Sequence, residues 1–300
     1  MTTKDDVMVP LTFHHSWNKI EARDRLTAMR EFAVNGAKHL VLGDMLLKMI
    51  GGDYKLAAVL RDETRQAGLD FLDAHAPFRG FGDLFIPDER DWRQMIARQK
   101  LNLLLVHELG VDTCTFHVGS EFYYEYTLDR HREALYRSLD ELLPLAEKLN
   151  VVICLENGLT PLNSAEALVA YMRKYDSPYL GICFDTGHAN RKELGGRFPD
   201  GAVPESWKKF GLTIRWEKNI AETLRPYIVN CHVHDNYGER DDHNLPGCGN
   251  IDWKRILNVL RNAPRLRNIQ SEVLTARRNI PIRTVVESVL RLFGELPGKE

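Results

Sequence analysis

Residues 151–158 read VVICLENG and residues 180–188 read LGICFDTGH. Both are short apolar runs that close on a carboxylate and a glycine, with a helical pattern on either side. That is the form of a buried parallel strand whose C-terminal end carries polar side chains. Six more runs share it, at 7–13, 39–44, 69–78, 111–120, 227–235 and 268–273. Helical patterns lie between them, near 17–34, 54–67, 90–109, 127–149, 163–175, 216–225, 252–262 and 281–296. The clearest is 127–149, where Leu128, Leu135, Leu139, Leu142, Ala146 and Leu149 recur at helical spacing. Eight strands alternating with helices predict parallel pairing through right-handed crossovers, closing into an α/β (β/α)8 TIM barrel. The expected organisation is a single TIM-barrel domain over residues 1–300. No G-x-G-x-x-G follows the first run, which weighs against an open dinucleotide-binding sheet. Two connections, 189–215 and 236–251, read as long loops at the C-terminal face of the barrel.

Composition narrows the function classes. The formal net charge is -2, without the basic excess of a nucleic-acid binder, so a nucleic-acid partner is not expected. No uncharged apolar run reaches the length of a membrane span. The N-terminus carries no basic stretch followed by an apolar one, and a cytoplasmic protein is expected. The five cysteines form no C-x-x-C pair and read as reduced thiols. Four of them, Cys114, Cys154, Cys183 and Cys231, fall in predicted strands as small buried hydrophobes.

Polar residues gather where the strands end. His75 closes the third run, His117 the fourth, Glu156 the fifth and Asp185 the sixth, with His188 just beyond. His232 and His234 lie in the seventh run, Glu272 in the eighth, and Asp241 and His243 in the loop between those two. Alternate strand residues share a face, so His232 pairs with His234, Glu156 with Cys154, and Asp185 with Cys183. With the carboxylates in the barrel mouth, the two cysteines pack beneath them. Glu156, Asp185, His232 and Glu272 then converge from neighbouring strands. Such oxygen and imidazole donors suit a divalent cation, Mn2+, Zn2+ or Mg2+, and would be costly to bury together without one. Of His14 and His15, one is expected to line the pocket and the other to face away. His107 and His131 are expected on helix surfaces, and His39 on the opposite, stability face of the barrel.

In order, the motifs are H-V-G-S, L-E-N, D-T-G-H, H-V-H-D-N, D-D-H-N-L-P-G-x-G-N-I-D-W and S-E. They resemble the xylose isomerase-like TIM barrel superfamily, which holds sugar isomerases and epimerases and the endonuclease IV-type nucleases of AP endonuclease family 2. The resemblance to the epimerases implies one metal on Glu156, Asp185, His232 and Glu272. The resemblance to the nucleases implies further zinc ligands at His75, His117, His188, Asp241 and His243. The nuclease pattern H-x-N-D-S-K is replaced here by His232-Val233-His234-Asp235-Asn236-Tyr237, and E-F-Y-Y-E-Y follows H-V-G-S. These departures favour the sugar side.

The expectation is therefore a divalent-metal-dependent isomerase or epimerase of a sugar, sugar phosphate or keto-polyol, working by proton transfer through an enediolate. Glu156 and Glu272 take the acid–base roles and His188 polarises a substrate oxygen. His75, His117, His234, Asp241 and His243 are the expected substrate contacts. Phe78, Phe81, Tyr123, Tyr124, Trp207 and Tyr237 are candidates for stacking on sugar faces. The expected partner is a small carbohydrate, with a homo-oligomer left open. The alternatives are a zinc-dependent abasic-site endonuclease and a lyase or dehydratase on the same scaffold. A non-catalytic metal-binding protein is the least favoured reading.

Overall fold

The structure, a computed structural model, describes residues 9–294 apart from 121–122, 124, 199–201 and 276–278. Eight strands form it: β1 (Leu11–Phe13), β2 (His39–Leu42), β3 (Asp70–His75), β4 (Thr113–Phe116), β5 (Val152–Glu156), β6 (Leu180–Asp185), β7 (Ile228–Val233) and β8 (Asn268–Ser271). They close in sequence order, and β1 pairs with β8, so every pairing is parallel and the sheet has no edge. The predicted (β/α)8 barrel is the observed one.

Around it run α1 (Ala22–Val34), α2 (Asp44–Gly52), α3 (Leu56–Gln66), α4 (Glu89–Glu108), α5 (Leu128–Leu149), α6 (Ala165–Tyr175), α7 (Thr186–Leu194), α8 (Ala202–Lys208), α9 (Ile220–Leu224), α10 (Trp253–Arg261) and α11 (Ile282–Phe293). Among the described residues, five start on a side-chain cap: Asp88 for α4, Thr127 for α5, Ser164 for α6, Asp185 for α7 and Asp252 for α10. Among the described residues no helix is long and apolar enough to cross a membrane.

Three expectations need correcting. Residues 45–55, left without a helix between the run at 39–44 and the helical pattern near 54–67, are mostly helix α2, because Leu46, Leu47 and Ile50 share one buried face before Gly51 and Gly52 end the pattern. The stretch 189–215, expected as a long loop, holds the end of α7 and all of α8, and α7 is capped by Asp185 itself. His131 is also buried, not on the surface. It packs edge-on against Phe85, and its Nδ1 donates to the Thr127 carbonyl. His107 is exposed and His39 opens β2, as expected.

The strand period of two sorts the barrel into two surfaces. Cys114, Phe116, Ile153, Leu155, Ile182, Phe184, Cys231 and Val233 belong to the main core packed against the helices. Val152, Cys154, Cys183 and Val229 form a separate small apolar cluster inside the barrel. The other inward residues are polar. Asn230 Nδ2 donates to Asp73 Oδ2 at 2.9 Å and to Thr115 Oγ1 at 2.9 Å. Thr113 Oγ1 donates to Asp73 Oδ1 at 2.7 Å, and Asn268 Nδ2 to Thr113 Oγ1 at 3.0 Å. Burial pushes the Asp73 carboxyl up to about 6. This hydrogen-bonded layer is the floor on which the next residue of each strand stands.

Candidate active site

Two residues above that floor, the strand ends bring the predicted polar side chains together. His232 is the centre. Its Nδ1 lies 3.1 Å from Glu156 Oε1, 3.1 Å from Glu272 Oε1 and 4.0 Å from Asp185 Oδ2. Its other nitrogen, Nε2, faces Thr115 Oγ1 at 3.4 Å, so the floor sets the ring's orientation. The four ligand atoms of Glu156, Asp185, His232 and Glu272 all lie within 4.8 Å of one another. Three carboxylates, two of them buried, around one imidazole nitrogen have the donor chemistry of a divalent-cation site.

Two further groups adjoin it. His75, His117 and Glu156 form one, and His234, Asp241 and His243 the other. Glu156 belongs to the first as well as to the centre. Its Oε2 lies 2.6 Å from His117 Nε2 and 3.9 Å from His75 Nε2. Asp241 Oδ2 lies 3.2 Å from His243 Nε2 and 3.4 Å from His188 Nε2. Backbone carbonyls aim these rings. His75 Nδ1 donates to Ala76 O at 2.8 Å, His188 Nδ1 to Asn157 O at 3.0 Å and His243 Nδ1 to Glu272 O at 2.8 Å. A carbonyl only accepts, so each ring carries a proton on Nδ1 and turns Nε2 to the site. His243 is held at a backbone φ of 48°, a conformation uncommon outside glycine and frequent at functional sites.

The charges follow from these contacts. Burial alone would raise Glu156, but His117 and His232 outweigh it and hold the carboxyl well below its usual range. Glu272 and Asp185 are lowered in the same way, chiefly by His232 and by His188 respectively, against burial. Burial opposes a charge on His232, yet Glu272 and Glu156 push it up to about 10. His243 rises to about 9 because Asp241 overcomes its burial. His75 has no such excess of acid, and burial lowers it.

The cavity above has a volume of about 390 Å³, within the range of small-molecule sites. His75, His117, Glu156, His188, Asp241, His243 and Glu272 line it. His14 lines it too, while His15 turns inward onto Trp17 and Phe32, which is the split expected of that pair. Asp185 and His232 form the wall behind. His234 stands with them, its Nε2 3.1 Å from Asp185 Oδ2 and its ring stacked on His243 at 3.9 Å.

Among the aromatic candidates, Phe78 lines the cavity and stacks on His117 at 4.2 Å. Trp207 is buried and donates to Leu159 O at 2.8 Å, Tyr237 is 58% exposed, and Tyr123 packs against the core. Tyr124 and the Phe81 side chain lie outside the described residues.

Several supporting residues had gone without a role. Asn157 exchanges two hydrogen bonds with the Asp185 backbone, at 3.0 and 2.8 Å. Gln270 Nε2 donates to Glu272 Oε1 at 2.7 Å. Asp235 accepts from Gly247 N and from Trp253 Nε1, which fastens the loop bearing Asp241 and His243. Gln270 and Asn230 could have been found by the period of two, since each lies two residues before a ligand candidate. Asp235 gave no such signal, because its partners are 12 to 18 residues away.

Comparisons with known proteins agree on the architecture. An uncharacterized protein of Sinorhizobium fredii, y4fM, is 29% identical over 131 residues, covering 43% of this chain and 35% of that one. The chain thus matches about a third of the length of that curated relative. The structure of 3-keto-D-glucoside 4-epimerase, YcjR, from E. coli superposes with a TM-score of 0.69 at 18% identity, covering 95% of this chain and 98% of that one. The IOLI protein, crystallised with a bound zinc atom, gives 0.70 at 16% identity, covering 97% and 100%. At these identities the likeness is one of fold. The profile of the xylose isomerase-like TIM barrel family matches residues 43–273, and the chain belongs to that family.

Proposed function

We propose that this protein is a divalent-metal-dependent isomerase or epimerase of a carbohydrate. One observation carries the reading. Glu156 and Glu272 reach the same His232 nitrogen, each at 3.1 Å, and both also line a cavity of monosaccharide size. Glu156, Asp185, His232 and Glu272 are the residues that would hold the metal. Bound there, a divalent cation supplies Lewis acidity toward a carbonyl and its neighbouring hydroxyl.

The chain's own groups do the rest. Both glutamates are kept ionised by their histidine neighbours, so each can accept a proton from the substrate carbon and return it. Glu272 is the more open of the two, with 15% of its side chain exposed against 4% for Glu156. Burial opposes a charge on His188, yet Asp185 and Asp241 hold it protonated, so Nδ1 donates to Asn157 O and the Nε2–H can donate to a substrate oxygen. His75 and His117 form the facing wall. The epimerase activity named for the E. coli protein of the same fold supports this class of reaction.

The test is proton exchange. Metal-replete protein incubated in deuterium oxide with pentuloses, hexuloses and keto-glycosides should place one deuterium beside the carbonyl of at least one of them. Absence of exchange across the panel overturns the reading. Loss of water from the same substrate would redirect it to a lyase.

A second reading has a specific observation behind it. The three donor groups adjoin one another, and Glu156 serves two of them, which is how a site for more than one zinc ion is built. That arrangement favours a phosphodiesterase acting on abasic DNA. Three zinc ions per chain, together with cleavage of an abasic duplex, would establish it, while about one ion per chain supports the isomerase.

A further inference from the structure

The four carboxylates lining the cavity all have partners. Asp44 Oδ2 accepts from Lys48 Nζ at 2.9 Å, and Glu156 pairs with His117. Asp241 pairs with His243, and Glu272 accepts from Gln270. The two arginines that line the same cavity, Arg79 and Arg191, differ. Among the described residues neither guanidinium takes part in an ion pair or a hydrogen bond. Arg191 lies on α7 three residues after His188, so both project from one side of the helix into the cavity. Its Nε is buried and has no partner. Asp241, Asp185 and Asp242 lie within electrostatic reach, yet burial outweighs them. A buried donor without an acceptor is destabilising, and a ligand oxygen would satisfy it.

Arg79 stands elsewhere on the cavity wall, 5.8 Å from the Phe78 ring. Its backbone is held at a φ of 61° by a hydrogen bond from its N–H to Asp83 Oδ1 at 2.9 Å. A positive φ at a residue with a side chain is a strained conformation that the fold maintains here at the cavity rim.

We propose that the substrate carries an anionic group, a phosphate or a carboxylate, which pairs with Arg191. The guanidinium fork matches either oxyanion with two parallel hydrogen bonds. This deepens the carbohydrate reading and rests on it for the remainder of the substrate, but not for the anion.

The experiment is calorimetric titration of the metal-replete protein with D-fructose, D-fructose 6-phosphate, D-glucuronate and inorganic phosphate, in wild type, Arg191→Met and Arg191→Lys. Metal content is checked in each. One of the anionic sugars is expected to bind about 10- to 100-fold more tightly than D-fructose. Arg191→Met should bring it down to the D-fructose level, and Arg191→Lys should keep part of the advantage. A preference for the phosphate identifies a phosphoryl substrate, and one for glucuronate a sugar acid. Arg191-dependent binding of inorganic phosphate without binding of any sugar would sink the carbohydrate reading and leave the anion site standing. Anions that bind no better than D-fructose, or that bind Arg191→Met as well as wild type, overturn the inference whatever the sugars do.

Discussion

His117 Nε2 stands 2.6 Å from Glu156 Oε2, on the side of that carboxylate away from His232. One buried glutamate therefore serves two groups of ligands at once. Replacing the histidine tests which of its two neighbourhoods matters. In His117→Asn, with a single ion on the four central residues, elemental analysis should still find about one metal per chain. Turnover should fall about 10- to 100-fold for the lost charged hydrogen bond. A drop in metal content would instead speak for a second ion.

Glu272→Gln keeps the shape of the side chain and removes its charge. Proton transfer by a placed carboxylate contributes about 10²–10⁴-fold, so turnover should drop by at least that factor. Metal affinity should weaken in the same variant. Activity like the wild type's would remove Glu272 from the acid–base role.

Gly187 has no room for a side chain. A Cβ there would meet His234 Cε1 at 2.0 Å, and His234 is fully buried against Asp185. Gly187→Ala should cost about 1–3 kcal/mol in urea unfolding. Gly51→Ala is the matching control. It lies in α2 with open space around it and should stabilise by about 0.5–1 kcal/mol. Equal effects in the two variants would contradict the packing around His234.

Lys192 is fully buried on α7, with its Nζ 4.3 Å from the Trp207 ring and without a hydrogen-bond partner. Burial lowers its pKa from 10.5 to about 8, against the attraction of Glu217. Between pH 8 and 10.5 the unfolded chain holds a proton that the folded chain has released. Stability from this group therefore rises with pH through that window, by about 3 kcal/mol in all. Lys192→Met should be more stable than wild type at pH 7, with the gap closing toward pH 10. A gap that stays constant with pH would refute the burial argument.

Cys248 is exposed, while Cys114, Cys154, Cys183 and Cys231 are buried and pushed well above the usual thiol range by burial. A thiol reagent should label one cysteine in the native protein and the other four only on unfolding. A second fast thiol would show that a strand cysteine is reachable.

The fold was legible because its signal is periodic. Each strand is an apolar run, and each ends on a residue that a core would not choose, such as Glu156 or Asp185. The same period put Cys154 and Cys183 beneath the carboxylates, where the small interior cluster holds them. Helix α2 was missed because two glycines close it, and glycine reads locally as a turn. His131 was misplaced because helical spacing says which residues share a face, not which polar one the neighbouring Phe85 will cover. The roles of Asp235 and Arg191 depend on groups far away in the chain, and no local pattern records those.

The interior floor has its own consequence. Asp73, Thr113, Thr115, Asn230 and Asn268 come from four different strands and are joined by directional bonds, not by fitted methyl groups. Oily packing tolerates a small slide between neighbours, whereas such a bond does not. The strands beneath the site are thus indexed against one another like the teeth of a gear. Above them, Phe78, Arg191 and Asp241 each stand on a separate segment that follows a strand, Arg191 on α7. A lineage can rework one of those segments, and with it the molecule that is recognised, without disturbing the alignment of the reacting groups below.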